Sequence, residues 1–178
     1  MGDNRRIIER TQEWIEAFII GYNICPFAER PINNKEVSYE IIENKDREAL
    51  LTSCINAVRS LDRGEHSTGF LIFPEGFHDF SEFLYLESQL YELVEQIIGK
   101  GMYQTVAFHP EFMYADEETT VTHYTNRSPY PMIHLLSEKD VEKAQMHHPD
   151  VDEIPVRNRK TLMSLEPTEI QNIEGLIK

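Results

Sequence analysis

The polar, proline-rich stretch between His109 and Pro131 holds the side chains best suited to chemistry. His109 stands at the end of a predicted strand and is followed by proline. In open α/β sheets, ligands bind outside the carboxyl ends of the strands, where the loops diverge. We therefore predict that His109 acts as a catalytic acid or base. The structural alternative is a histidine that only hydrogen-bonds a turn.

Four consecutive residues of this stretch carry hydrogen-bonding side chains, and two prolines stiffen the chain after them. A rigid backbone with many donors lowers the ordering cost of binding a ligand. Arg127 has a planar fork that suits a carboxylate or a phosphate, which lysine would not reproduce. The alternative is a structural loop in which Arg127 bridges the acids at 116–118. The predicted substrate-binding residues here are Thr125, Asn126, Arg127, Ser128 and Tyr130.

Two further segments are predicted to contribute to the same site. His134 is expected to point near His109 if its segment pairs in the sheet, and it is the second candidate acid or base. Arg157 and Asn158 fall in the first turn of a helix that Pro155 opens. Free backbone N–H groups and the helix dipole favour anions there. We predict that both residues bind substrate, the alternative being that Arg157 pairs with the acidic loop.

Two other kinds of site are predicted to be absent. Cys25 follows a helix instead of starting one, so the nearer dipole end should raise the pKa of its thiol and leave it packed and inert. His109, His123 and His134 lie in one region of the sequence, but their spacing matches no known metal-ligand motif. We predict no metal site, and the sequence names no cofactor.

Strands and helices alternate through the first two thirds of the chain. This order predicts an α/β (or α+β) fold, in which one domain spans residues 1–178 around a mixed sheet of about four strands. Crossover helices should place parallel strands side by side, and a proline-rich C-terminal third should follow. The predicted strands are 37–42, 68–73, 103–108 and 132–136. The predicted helices are 7–22, 50–61, 79–98, 138–147, 155–164 and a last one from Pro167.

Composition limits the partners. The chain has 178 residues and a formal net charge of −14, so its field repels nucleic-acid backbones and anionic lipid surfaces. No apolar run approaches the roughly 20 residues that cross a bilayer. We predict a cytoplasmic protein that binds neither nucleic acid nor membrane. The sequence does not determine its oligomeric state.

Several segments along nearly the whole chain form a recognisable set. They are the helix with Trp14, Cys25-Pro26-Phe27-Ala28, Phe108-His109-Pro110, Tyr124 to Pro131, His134-Leu135-Leu136, Ile154-Pro155 and Arg157-Asn158. In this order they resemble a mainly bacterial family known as domain of unknown function 1415. The family pattern has arginine where Ser137 stands and a serine near Asp140, so this chain departs from it at that turn. The resemblance implies a single domain and no particular reaction.

The leading functional hypothesis is the binding or enzymatic conversion of a small anionic molecule. Arg127 and Arg157 would hold the anion, while His109 or His134 would move a proton. One alternative is a non-catalytic protein-interaction module with an acidic surface. A second alternative is a metal-dependent hydrolase.

Overall fold

Four strands form one mixed sheet. The computed structural model describes residues 2–43, 46–64, 66–115, 120–147 and 150–178. The strands are β1 (Val37–Ile41), β2 (Thr68–Ile72), β3 (Tyr103–Phe108) and β4 (Met132–Ser137), in the spatial order β1-β2-β4-β3. β1 and β2 are parallel, and β4 is antiparallel to both of its neighbours. The predicted α/β class and the mixed four-stranded sheet are confirmed.

The expectation of parallel neighbours holds for one pair only. β2 and β3 run in the same direction, but β4 lies between them and pairs with both. The connection over residues 109–131 lets the chain reverse before it enters the sheet. Met132, Ile133 and Leu135 are fully buried, so β4 gains more apolar burial at the centre than an edge would provide.

Two long helices cover one face of the sheet. α3 (Arg47–Asp62) begins at Asp46, whose carboxylate accepts the Ala49 amide at 2.9 Å. α4 (Phe80–Ile97) begins at Asp79, whose carboxylate accepts the Glu82 amide at 2.8 Å. Such caps satisfy amides that the first helical turn leaves without partners. Both helices bury their apolar stripes against Leu71, Ile133 and Leu135.

The opposite face is covered by the two ends of the chain. α1 (Gly2–Trp14), α6 (Ile154–Met163) and α7 (Pro167–Ile177) pack there against Phe70, Ile72 and Met132. α1 continues as a π-helical segment, Ile15–Ile20, where a single α-helix was predicted. The amide of Gly21 bonds to the carbonyl of Glu16, five residues back, at 3.1 Å. A side chain at Gly21 would place its Cβ 2.4 Å from the Ala17 oxygen, so only glycine fits this turn.

Short elements complete the chain. They are α2 (Glu29–Asn33), α5 (Glu138–His147) and two 3₁₀ helices, Thr120–Asn126 and Val151–Glu153. The helices predicted at 138–147, 155–164 and from Pro167 are confirmed. α2 was not predicted, since one helical turn is too short to show an apolar period. The sequence offers Asn44 or Asp46 as the cap of α3; Asn44 and the acids at 116–118 lie outside the described residues. No helix in the described ranges is both long and apolar enough to cross a membrane.

The strand ends define one edge of the sheet, here called the carboxyl edge. Ile41, Ile72 and Phe108 are the last residues of β1, β2 and β3, and Met132 is the first residue of β4. Pairing places all four residues at the same end of the sheet. The loops after β2 and β3 and the segment before β4 therefore meet at this edge.

Candidate functional site

His109 joins two loops at the carboxyl edge. Its side chain is buried, and its Nε2 lies 2.8 Å from the carbonyl oxygen of Phe77. Its Nδ1 accepts the backbone amide of Glu111 at 3.0 Å. A carbonyl only accepts and an amide only donates, so the two contacts together require a neutral ring protonated on Nε2. Burial lowers the pKa of His109 below its ordinary value, which favours the same neutral form.

The loop between β2 and α4 is held in an unusual conformation. Gly76 and Phe77 have φ angles of 105° and 53°, and the left-handed region is rare for a bulky residue such as phenylalanine. The Phe77 ring packs edge-on against Phe73 and Phe83, with centroid distances of 5.5 and 6.2 Å. Aromatic packing and the bond to His109 together keep this turn in place.

The predicted binding segment, Thr125 to Tyr130, uses most of its polar side chains on the protein's own backbone. The Asn126 amide nitrogen donates at 3.1 Å to the carbonyl of Ala107, which belongs to the edge strand β3. The Thr125 hydroxyl donates to the Thr122 carbonyl at 3.1 Å. The Ser128 hydroxyl, fully buried, donates to the Tyr130 carbonyl at 2.6 Å. These contacts bond the segment to the protein's own backbone, which is the structural alternative that the sequence also allowed.

The Tyr130 ring is covered by a cation from the opposite end of the chain. The guanidinium carbon of Arg10 lies 5.6 Å from the centroid of this ring. The ring also packs against the core formed by α1 and the π-helical segment. Tyr130 therefore contacts the packed face of the sheet. Its role in substrate binding stays a prediction.

Arg127 combines backbone support with access to a cleft. Its Nε donates to the Phe112 carbonyl at 3.1 Å, and its guanidinium carbon lies 5.1 Å from the centroid of the Tyr124 ring. Among the described residues, no carboxylate forms an ion pair with Arg127. The cleft has a volume of about 410 Å³, and its lining residues are Asp79, Phe80, Ser81, Pro110, Glu111, Met113 and Arg127.

His134 lies on the opposite face of the sheet from His109. Its ring stacks on Phe70 with centroids 4.2 Å apart, whereas the His109 ring contacts Phe83 of α4. The expectation that the two histidines point to one place is therefore wrong. Successive residues of a strand alternate between faces, and His134 shares its face with Met132 and Phe70.

His134 is also neutral, for a reason of its own. The Thr68 hydroxyl donates to the Leu135 carbonyl at 2.7 Å, so the contact of 2.8 Å between that hydroxyl and Nε2 requires the imidazole to donate. Burial among aromatic rings lowers the pKa of His134 to about 3. The ring therefore carries no charge at neutral pH.

Arg157 and Asn158 bind a different stretch of backbone. The Arg157 Nη2 donates to the Asn23 carbonyl at 2.6 Å, and the buried Asn158 amide donates to the Ile24 carbonyl at 2.7 Å. Asn23 has a φ of 52°, so this turn after the π-helical segment needs support. Arg157 thus bonds the turn at Asn23. The acids at 116–118 of the acidic loop, its alternative partners in the sequence analysis, lie outside the described residues.

Cys25 follows the turn that Arg157 and Asn158 hold. Burial raises the pKa of its thiol, while the amides of Phe27 and Ala28 and the charge of Arg157 act in the opposite direction. The pKa is raised, as predicted, and burial is its largest cause. The contribution predicted for the end of the preceding helix stays a prediction.

The predicted site residues therefore form three separate groups. Arg127 lines the cleft, and His109 bonds the loop of Glu111, which also lines it. His134 pairs with Thr68 inside the sheet, and Arg157 with Asn158 binds the turn before Cys25. Within the described residues, no three His, Cys, Asp or Glu side chains are grouped to hold a metal ion. Sequence reasoning missed the cleft wall formed by Asp79, Phe80 and Ser81. One signal was available in the sequence. Asp79 follows β2 and His109 follows β3, and loops that follow parallel strands meet at the same edge of a sheet.

The comparison with protein families gives one match. The model described as "Protein of unknown function (DUF1415)" matches residues 6–172, nearly the whole chain. The chain belongs to this family. No curated protein and no solved structure matches it significantly.

The residue range shared with the DUF1415 family contains the site residues described above. The cleft wall at Asp79, the pair Asn126 and Arg127, and the pair Arg157 and Asn158 all lie between residues 6 and 172. The family description gives no activity.

Proposed function

We propose that this chain binds or converts a small anionic molecule, with a carboxylate or a phosphate group, in the cleft at the carboxyl edge. The supporting observation is that Arg127 lines this cleft while its Nε is fixed on the Phe112 carbonyl. A guanidinium held by a backbone contact loses little further freedom when it binds a ligand. Its remaining N–H donors match the geometry of two anionic oxygens.

The N-terminal end of α4 also lines the cleft. Phe80 and Ser81 open α4, an 18-residue helix, and both line the cleft. The N-terminal end of a helix carries a partial positive charge. The hydroxyl of Ser81 is exposed and provides one more donor.

His109 is assigned a positioning role in this proposal. Its two ring nitrogens bond Phe77, in the loop that leads to α4, and Glu111, in the loop that follows β3. Those loops form two walls of the cleft, so one neutral imidazole sets the distance between them. Protonation would replace the acceptor at Nδ1 with a donor that faces the Glu111 amide.

The proposal is tested by ligand-induced thermal stabilisation of the purified protein with a panel of small carboxylates and phosphates. We expect at least one of them to raise the melting temperature of the wild-type protein. Arg127→Met keeps an apolar side chain over Tyr124 but removes the charge. The affinity of this variant should fall about 10- to 100-fold, as expected for a charge-assisted hydrogen bond.

The matched control is Arg10→Met. Arg10 also lies over a tyrosine ring, that of Tyr130, but it does not line the cleft. Each variant is compared with its own ligand-free melting temperature, since loss of the Phe112 contact costs some stability in Arg127→Met. Equal affinity of wild type and Arg127→Met, or no stabilisation of the wild type by the whole panel, contradicts the proposal.

A further inference from the structure

We infer that the ligand of this cleft is a zwitterion, with an ammonium group a few bonds away from its anionic group. The inference rests on the proposed function and concerns the charges around Arg127. Among the described residues, three ionisable side chains line the cleft, and two of them, Asp79 and Glu111, are acids. A plain anion bound to Arg127 would therefore lie beside two carboxylates of its own sign.

The two carboxylates come from opposite walls. Asp79 precedes α4, and its carboxylate accepts the Glu82 amide at 2.8 Å, which fixes the direction of that side chain. Glu111 follows β3, and its backbone amide is fixed by His109 at 3.0 Å. Both residues are exposed, so their carboxylates are open to a ligand that enters the cleft.

Charge balance favours a molecule that carries both signs. The three side chains add up to a net charge of −1, and the whole chain adds a field of the same sign from its formal −14. An ammonium group has three donors and no acceptor, which matches carboxylates on two walls. Its attraction to them offsets the repulsion that the ligand's anionic group meets there.

The size of the cleft is consistent with an amino-acid-sized ligand. Its volume is about 410 Å³, within the range of ligand pockets. The apolar parts of the lining, Phe80, Pro110 and Met113, are available for the short carbon chain between the two charged groups. The cleft thus provides a contact for each part of such a molecule.

Three probes of similar length separate the charges. β-Alanine carries both groups, propionate carries only the carboxylate and propylamine carries only the ammonium. Dissociation constants are measured by following backbone amide NMR signals of the full chain at low salt. We expect β-alanine to bind about fivefold or more tightly than either of the other probes, since an exposed charge pair contributes up to about 1 kcal/mol.

Two variants test the acids directly. Glu111→Gln removes one carboxylate, and Asp79→Asn removes the other while keeping an oxygen that can cap α4. In each variant the preference for β-alanine over propionate should shrink about fivefold. Glu82→Gln is the control, because Glu82 lies in the same turn of α4 but does not line the cleft.

The outcomes distinguish the inference from the proposed function. Propionate binding as tightly as β-alanine to the wild type overturns the inference and leaves the anion site standing. An unchanged preference in both acid variants also overturns it. If no probe binds, or if propylamine binds as tightly as β-alanine, then Arg127 does not anchor a carboxylate and the proposed function is overturned as well.

Discussion

The two arginine–asparagine pairs of this protein bind backbone in the same manner but have different surroundings. Asn126 and Arg127 donate to the carbonyls of Ala107 and Phe112. Arg157 and Asn158 donate to the carbonyls of Asn23 and Ile24, in the turn after the π-helical segment. Asn158 is buried, whereas Arg127 lines a cleft that opens to solvent.

In both pairs, backbone carbonyls compete with a ligand for the side-chain donors. A buried carbonyl without a partner costs free energy, so nearby side-chain donors are used on the backbone first. Asn126, Arg157 and Asn158 are used in this way. The five-donor fork of Arg127 bonds the Phe112 carbonyl and the Tyr124 side chain, which leaves further donors for a ligand.

The two histidines show the same contrast. His109 bonds two loops that enclose a cleft, and His134 bonds the Thr68 hydroxyl inside the sheet. Burial lowers the pKa of both rings, and the hydrogen bonds of His109 require its neutral form. A loss of His109 should therefore change the cleft, whereas a charge on His134 should affect the whole fold.

The largest expected effect is that of His109→Leu. The carbonyl of Phe77 and the amide of Glu111 would both lose their partner, which should lower the free energy of unfolding by about 2 to 5 kcal/mol. Urea denaturation measures this change. His109→Gln keeps a donor near the position of Nε2 and should recover part of the loss. An unaltered midpoint in His109→Leu would show that the two walls do not depend on the imidazole.

A smaller effect is expected from the pH dependence of His134. Its folded pKa of about 3 lies below the unfolded value near 6.5, so the unfolded chain binds the proton first. Stability from this group is therefore complete above pH 6.5 and is lost as the pH falls towards 3. Between pH 7 and pH 4.5 the loss should be about 2 to 3 kcal/mol.

The variant His134→Phe isolates that contribution. Phenylalanine can stack on Phe70 and has no proton to gain, and Thr68 can still donate to Leu135. The carboxylates titrate in both proteins, so their share cancels when wild type and variant are compared at the two pH values. The same acid-induced loss in both proteins would show that His134 is not the group responsible.

The smallest expected change in the free energy of unfolding is that of the two asparagine variants. Asn158→Ala and Asn126→Ala each leave a backbone carbonyl without its donor, which should lower the free energy of unfolding by about 1 to 2 kcal/mol. Only Asn126→Ala should also weaken ligand binding, because Arg127 is its direct neighbour. Lys160→Ala, at an exposed position of α6, is the control and should leave both quantities unchanged. Equal binding by the two asparagine variants would remove the distinction between the pairs.

Most of the secondary structure was predictable because the signals are local. Buried β2 follows from a continuous apolar run, and α4 follows from a cap at Asp79 with an apolar stripe behind it. The position of β4 between β2 and β3 was not predictable, since strand order depends on long-range burial. The short helix α2 carries too few residues to show a period.

The candidate site was predictable in part. Strand ends predicted that His109 lies at the carboxyl edge, where the loop that it bonds and Arg127 line one cleft. The face of His134 depends on strand register, and the partners of Arg157 lie 134 residues away in the sequence. The left-handed turn at Phe77 has no signal of its own, because it is imposed by packing and by His109.

Asn126 has a consequence for association between molecules. β3 is an edge strand, and an open edge is a template on which another chain can add a strand. Near the carboxyl end of β3, the Asn126 side chain donates to the backbone carbonyl of Ala107. The backbone carbonyl of Asn126 accepts the amide of His109 at 3.0 Å. A foreign strand would therefore find these two backbone groups already bonded. The segment that frames the cleft thus also protects this part of the sheet from aggregation.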